Sequence, residues 1–348
     1  MAMKDIFNTA KEENLFHRNP RWLGGDGASS VDLGDGRVLW LFGDSFIASD
    51  DNSTRADATM VRNSIAIQTG NDPATAKMDF YWRENESAPP SSFFPESGDD
   101  TWLWPGHGIR LDDGSLLIFA MRVRETDHAA DEPPDPLGFE TVAYLAISID
   151  NPDDNPADWH LQTLTPPDNQ AGIIFGAGGV VKDDAYLYAL GVRDAAPEKP
   201  VYAARWSLDS LAKQDMSGAE YWCGDKWKKN IDDAVPLFEN AQTEMSLHYD
   251  PDRKEYLCIQ TSGFGDTALT IRSAARPEGL WSEPETICDL PKSENKNLIS
   301  YAGKAHPHLT AENGTLLSYV TNSLNIKDIF DDEALYYPRF VKFPAKKY

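Results

Sequence analysis

One pattern recurs five times along this chain and narrows what it can fold into. An apolar or glycine-rich run leads into a turn marked by Asp or Asn, and a second, more apolar run follows. The turns are Asp35 with Gly36, Asp113 with Gly114, Asp183 with Asp184, Asp252 with Arg253, and Asn313 with Gly314. The marks at 35, 113, 183, 252 and 313 stand 78, 70, 69 and 61 residues apart. Each unit adds a third strand pattern, at 63–68, 141–149, 201–206, 268–273 and 336–342. The first four also add a Trp-containing segment, at 79–84, 159–164, 220–227 and 281–287. Self-similar units of three or four antiparallel strands, bounded by turn residues, are the signature of radial repeats. The expected fold is all-β: a single-domain five-bladed β-propeller over residues 1–348, with blades near 20–90, 100–168, 172–230, 240–290 and 300–345. The last unit runs out of chain after its third strand, so residues 1–24 are expected to supply its outer strand or the ring closure. Closure removes the sheet edges that an open array would expose. Long helical periodicities are missing, which argues against α/β alternation.

Composition narrows the partners. Ten Trp, 13 Tyr and 15 Phe supply a sizeable core, and a formal charge of −24 repels phosphate backbones and anionic membranes. Nucleic acid and membrane are therefore not expected partners. Three cysteines, Cys223, Cys258 and Cys288, are too few and scattered for a disulfide framework or thiolate metal site. Residues 1–24 carry no apolar leader, so the chain as written reads as cytoplasmic; Met1-Ala2-Met3 as a start on a trimmed N-terminus would instead make it secreted or periplasmic.

The first unit holds the chemistry. Asp26 lies nine residues before Asp35 and Asp44 nine after it. In a simple hairpin register they face each other, with Cα atoms roughly 4.5–5.5 Å apart. Taken alone, an Asp at a strand end more often caps a turn. The repeat changes that balance, because it brings the starts of all first strands to one face. Asp26, Trp104 to His107, Phe175, Thr243, Glu244 and Lys304 to His306 then meet at one mouth. The ends of the second strands add Asp44, Arg122, Arg193, Gln260 and Asn322. Paired carboxylates on an aromatic wall fit glycoside hydrolysis, in which one group protonates the leaving oxygen while the other attacks the anomeric carbon or activates water. The expected roles are Asp26 as nucleophile or base and Asp44 as its acid or pKa-tuning partner, with Glu244 as rival acid. Arg62, Asn63, Trp104, His107 and His306 are expected to contact the sugar, and Trp102, Tyr81 and Trp82 are further aromatic candidates, although most propeller Trp pack between blades. The expected partner is a glycan or oligosaccharide. No cofactor or catalytic metal is expected; a structural Ca²⁺ in the channel is compatible with the sequence.

The ordered motifs resemble a known family. Trp40-Leu41-Phe42-Gly43-Asp44, preceded by Asp26 and followed by Arg62-Asn63-Ser64-Ile65-Ala66, is similar to the start of bacterial five-bladed propellers catalogued as DUF4185. Trp104-Pro105, Phe175-Gly176-Ala177, Thr243-Glu244-Met245-Ser246, Gly279-Leu280-Trp281-Ser282, Tyr301-Ala302, His306-Pro307 and Tyr337-Pro338-Arg339-Phe340 continue the likeness across residues 20–343. Some members are endo-D-arabinofuranases of glycoside hydrolase family 183. The resemblance implies a similar pocket, with the family's aspartate pair at Asp26 and Asp44. It implies an activity on furanosides such as arabinan-type glycans, not one polymer. Two features depart from it: Ser45 stands where the family carries Thr, and no secretion signal precedes the domain.

Other readings compete. A sugar-binding or interaction propeller without catalysis has the same fold. Phe42-Gly43-Asp44-Ser45 resembles the nucleophile block of Gly-Asp-Ser esterases, but those enzymes are α/β, and neither His306 nor His308 follows an Asp by three residues. His306 and His308 share a strand face and could contribute to a metal site; hydrogen bonding across the channel mouth is the preferred account. The glycine-rich 175–179 run has no helix after it to receive a phosphate, and is read as a tightly packed inner strand.

Overall fold

Arg37–Phe42 is apolar at nearly every position because its two faces meet different neighbours. Val38, Trp40 and Phe42 enter one buried cluster, while Leu39 and Leu41 enter another. Successive side chains on a strand point to opposite faces, so a strand buried on both sides reads as a continuous hydrophobic run. The second sheet repeats this: Leu116, Ile118 and Ala120 face one cluster, and Leu117, Phe119 and Met121 face the next.

The computed structural model describes residues 6–85, 88–95, 100–126, 138–263, 267–311 and 314–344. It is all-β, with five antiparallel sheets following one another along the chain. The first contains Ser29–Gly34, Arg37–Phe42, Ser64–Thr69 and Lys77–Tyr81. The second contains Thr101–Arg110, Leu116–Glu125, Phe139–Ile149 and Leu161–Leu164. The third contains Ile174–Lys182, Tyr186–Val192, Val201–Ser207, Glu220–Trp222 and Trp227–Lys228. The fourth contains Ser246–Asp250, Glu255–Ser262, Ala268–Ala274 and Glu285–Asp289. The fifth contains Leu298–His306, Gly314–Ser323 and Pro338–Pro344. A small three-stranded sheet of Trp22–Gly25, Ser45–Ile47 and Thr59–Val61 extends the first hairpin. The turn mark Asn313 and parts of the 84–100 and 125–138 loops lie outside the described residues.

Each sheet packs on the next through its own apolar cluster. Leu39 and Ile118 share one cluster, Phe119 and Phe175 a second, Val192 and Met245 a third, and Ile259 and Leu317 a fourth. A further cluster joins the fifth sheet back to the first, through Leu316 and Phe340 on one side and Trp40 and Phe42 on the other. Phe16 sits at its centre, fully buried, with ring centroids 5.1 Å from Trp40 and 5.5 Å from Phe340. Among the described residues, none before Trp22 adds a strand to the fifth sheet. The N-terminal segment instead wedges the seam with a short helix, Ala10–Glu13, and a 3-10 turn, Asn14–His17. Glu13 accepts the Phe340 N–H and Glu12 pairs with Lys342, which ties this wedge to the last strand. No helix among the described residues is long and apolar enough to cross a membrane.

Candidate active site

The first hairpin turns at Asp35 and Gly36, with φ of 52° and 73°. Two successive left-handed residues match the twist of paired strands, which is why Asp-Gly suits this turn. Ser29 then faces Leu41 and Ser30 faces Trp40. The same register continues beyond the strands. The Gly43 N–H donates to the Asp26 carbonyl at 3.0 Å, the Asp26 N–H donates to the Asp44 carbonyl at 3.3 Å, and Gly25 faces Ser45. Asp26 and Asp44 are thus cross-strand neighbours at the open end of the hairpin.

Their surroundings differ sharply. Asp26 Oδ2 accepts hydrogen bonds from the hydroxyls of Tyr301, at 2.7 Å, and Tyr336, at 3.1 Å. Asn322 donates to the Tyr301 hydroxyl at 3.1 Å. Asp44 Oδ1 accepts from the Trp104 indole at 2.8 Å, and its Oδ2 pairs with Arg62 at 3.2 Å. The Arg62 guanidinium lies 4.1 Å from the centroid of the Trp102 ring. Glu244 pairs at 2.9 Å with Lys304, a lysine only 1% exposed whose ammonium also donates to the Gly27 carbonyl at 2.6 Å. Among the described residues, two of the three carboxylates therefore have a cation partner, and Asp26 has only neutral phenols.

The electrostatics follow. Burial, then the like charges of Asp44 and Glu244, push the Asp26 carboxyl up to about 8, while the two phenol hydrogen bonds pull the other way. Burial also raises Asp44, opposed by Arg62 and the Trp104 hydrogen bond. Gly43 is required by this geometry, since a Cβ there would lie 2.5 Å from Asp26 Oδ1. Trp104, Trp102 and Phe139 form an aromatic wall beside the pair, with centroids of Trp104 and Phe139 4.6 Å apart.

Several residues expected at the mouth are committed elsewhere. His306 is fully buried between the hydroxyls of Ser30 and Ser318 and lies against Trp40, so it has no ring nitrogen left for a sugar. His107 is bonded to the Met245 carbonyl at 2.6 Å and is held neutral, pushed down to about 3, chiefly by burial. Asn63 spends its amide on the backbone of Phe94 and Leu103. Gln260 likewise binds the backbone at Asn240 and Gln242. Arg193 stacks over Tyr202, and Trp82 lies under Arg21 at the outer edge of the first sheet. Ser45 donates to the Gly43 carbonyl and is bonded to Ser64, with no histidine among its hydrogen-bond partners, which removes the esterase arrangement. Gly176 and Gly179 let the inner strand of the third sheet press against Phe119 and Leu247. Among the described residues, no group of three or more His, Cys, Asp or Glu is arranged to hold a metal ion. A cleft of about 500 Å³ at the outer strand of the first sheet is lined by Arg18, Asp51, Asp79 and Tyr81 and includes none of the three carboxylates.

Tyr301 and Tyr336 are the site residues that the sequence reasoning missed. Tyr301 stands three positions before Lys304, just outside the repeat window at the mouth, and a window extended by one turn of the strand pattern contains it. Tyr336 carries no such signal, because its reach to Asp26 depends on a left-handed backbone, φ 62°.

Solved structures share this architecture. A hydrolase candidate from Bacteroides ovatus superposes with a TM-score of 0.75 at 20% identity, covering 96% of this chain and 88% of that one. The catalytic domain of the Coprinopsis cinerea family 62 α-L-arabinofuranosidase gives 0.50 at 12% identity, covering 92% and 91%. The endo-1,5-α-L-arabinanase of Thermotoga petrophila gives 0.50 at 11% identity, covering 87% and 68%. At these identities the likeness is one of fold. No protein with a curated description matches the chain. Over residues 10–345 the sequence matches the model described as Domain of unknown function (DUF5005), so the chain belongs to the DUF5005 family rather than to the DUF4185 family that its ordered motifs resemble.

Proposed function

We propose that the five sheets form one five-bladed β-propeller and that the carboxylates at its mouth make this protein a glycoside hydrolase. The observation that carries the reading is the unequal pairing of three neighbouring carboxyls. Asp44 and Glu244 are each balanced by a cation, and Asp26 is not. Groups whose environments push their pKa values apart divide naturally into acid and base. Asp26 is therefore assigned as the general acid, the reverse of the role expected from the sequence. Its proton passes to the glycosidic oxygen as the bond from the anomeric carbon breaks, and the bond's electron pair leaves with that oxygen. Asp44, which has Arg62 to balance its ionised form, either attacks the anomeric carbon or takes a proton from the water that does. In both cases one water is consumed, and a new reducing end is released. Glu244 supplies a second fixed negative charge that keeps the Asp26 proton in place.

The proposed substrate is a furanoside of arabinan type. The motif resemblance supports this, as do an α-L-arabinofuranosidase and an endo-1,5-α-L-arabinanase among proteins of like fold. Trp104, half-buried beside Asp44, offers a ring face for sugar C–H surfaces, and Arg62 offers a donor beside the reacting carbon. The test is reducing-end release from arabinans, arabinogalactans and short furanosides by wild type, Asp26→Asn and Asp44→Asn. Release by wild type, lost in both variants with circular dichroism unchanged, is the expected result. No release from any substrate, together with retention on a glycan array, would make this a binding propeller instead.

A further inference from the structure

Tyr336 is held in its left-handed conformation from several sides. Its N–H donates to the Thr321 carbonyl and its own carbonyl accepts from the Gly25 N–H, both at 2.9 Å. A bulky residue with φ near 60° is a genuine outlier and persists only where its surroundings over-determine it. Much of that surrounding comes from Arg55, 5% exposed, whose guanidinium donates to five carbonyls: Leu23, Ile329, Asp332, Glu333 and Leu335. Four of these belong to the segment that ends at Tyr336, and the fifth lies just before Asp26. One buried cation thus sets the loop that presents the Tyr336 hydroxyl.

We propose that Arg55, acting through Tyr336, and Tyr301 are positioning residues that clamp Oδ2 of Asp26, so that Oδ1 is the oxygen that carries and delivers the proton. Oδ2 already accepts two hydrogen bonds, and Oδ1 lies over Gly43, where no side chain competes for its space. This rests on Asp26 being the acid of a glycoside hydrolase. The charged and titratable groups around Asp26 are Asp44 on its own hairpin, with Arg62 behind it, Glu244 just before the fourth sheet, Tyr301 and Lys304 from the first strand of the fifth, and Tyr336 from the loop before that sheet's last strand. Among the described residues, only the two tyrosines donate side-chain hydrogen bonds to its carboxyl.

The test needs no substrate. The Asp26 carboxyl ¹³C shift, assigned by its loss in Asp26→Asn, is titrated in wild type, Tyr301→Phe, Tyr336→Phe, Arg55→Lys and the Arg55→Lys, Tyr336→Phe double variant. Each phenol stabilises the ionised form, so each Phe variant is expected to titrate higher by about one pH unit. Arg55→Lys is expected to move the midpoint the same way and to add nothing once Tyr336 is Phe. An unmoved or lowered midpoint in both Phe variants overturns the clamp. A fully additive Arg55 effect overturns its action through Tyr336. On a glycan that the wild type cuts, the alkaline limb of kcat/KM should rise with the titration. A limb that stays in place while the midpoint moves overturns Asp26 as the acid and leaves the clamp standing.

Discussion

Asp26→Asn should make this protein more stable, and the gain should grow with pH. The folded state holds the Asp26 proton up to about 8, against an ordinary value of 3.8. Between those values the folded chain binds more protons than the unfolded one, so wild-type stability falls as pH rises. Each pH unit in that window removes about 1.4 kcal/mol, which accumulates to about 4 kcal/mol at pH 7 as an upper limit. Asn is neutral at every pH and keeps an acceptor for the two phenols, so it escapes this loss. Groups that do not interact with Asp26 titrate alike in both proteins and cancel in the difference, whereas Asp44 titrates together with Asp26 and its part enters the same gap. Urea unfolding of both proteins at pH 4, 5.5, 7 and 8 measures it. The two should be nearly equal at pH 4, with the variant ahead by a few kcal/mol at pH 7 to 8. A gap that does not change with pH, or a variant less stable than wild type at pH 8, would refute the argument that Asp26 is destabilised for its chemistry. The expected combination, higher stability with lost activity, is the usual trade at a strained functional group.

Further predictions concern the supports of the site. Lys304→Met should cost about 3 kcal/mol in chemical denaturation, because it leaves Glu244 and the Gly27 carbonyl without their buried donor. Phe16→Ala should cost about 3–5 kcal/mol, since it empties the aromatic seam between the fifth and first sheets, and hydrogen exchange should show that seam opening first. Burial is the largest cause holding His248 and His308 down to about 4, below the ordinary 6.5, so the unfolded chain binds more protons as pH falls. Their share of stability is complete above pH 6.5 and is lost progressively from there towards pH 4; replacing both with Gln should flatten that acid limb.

Much of this was readable in the chain itself. Period-2 side-chain alternation and turn residues are local properties, so five repeats, continuous apolar strands such as Arg37–Phe42, and the hairpin symmetry placing Asp26 opposite Asp44 can all be read from neighbours in sequence. Which carboxyl lacks a cation is not local. It depends on Tyr301 and Tyr336, 275 and 310 residues from Asp26, and on Lys304 reaching Glu244 from another sheet. His306 shows the same limit. Its spacing suited the mouth, but the packing of the fifth sheet on Trp40 carried it into the core. Residue spacing specifies the face a side chain leaves from, while the partner it meets is decided by how separate sheets pack on one another, and here that packing alone separates the carboxyl without a cation from the two that have one.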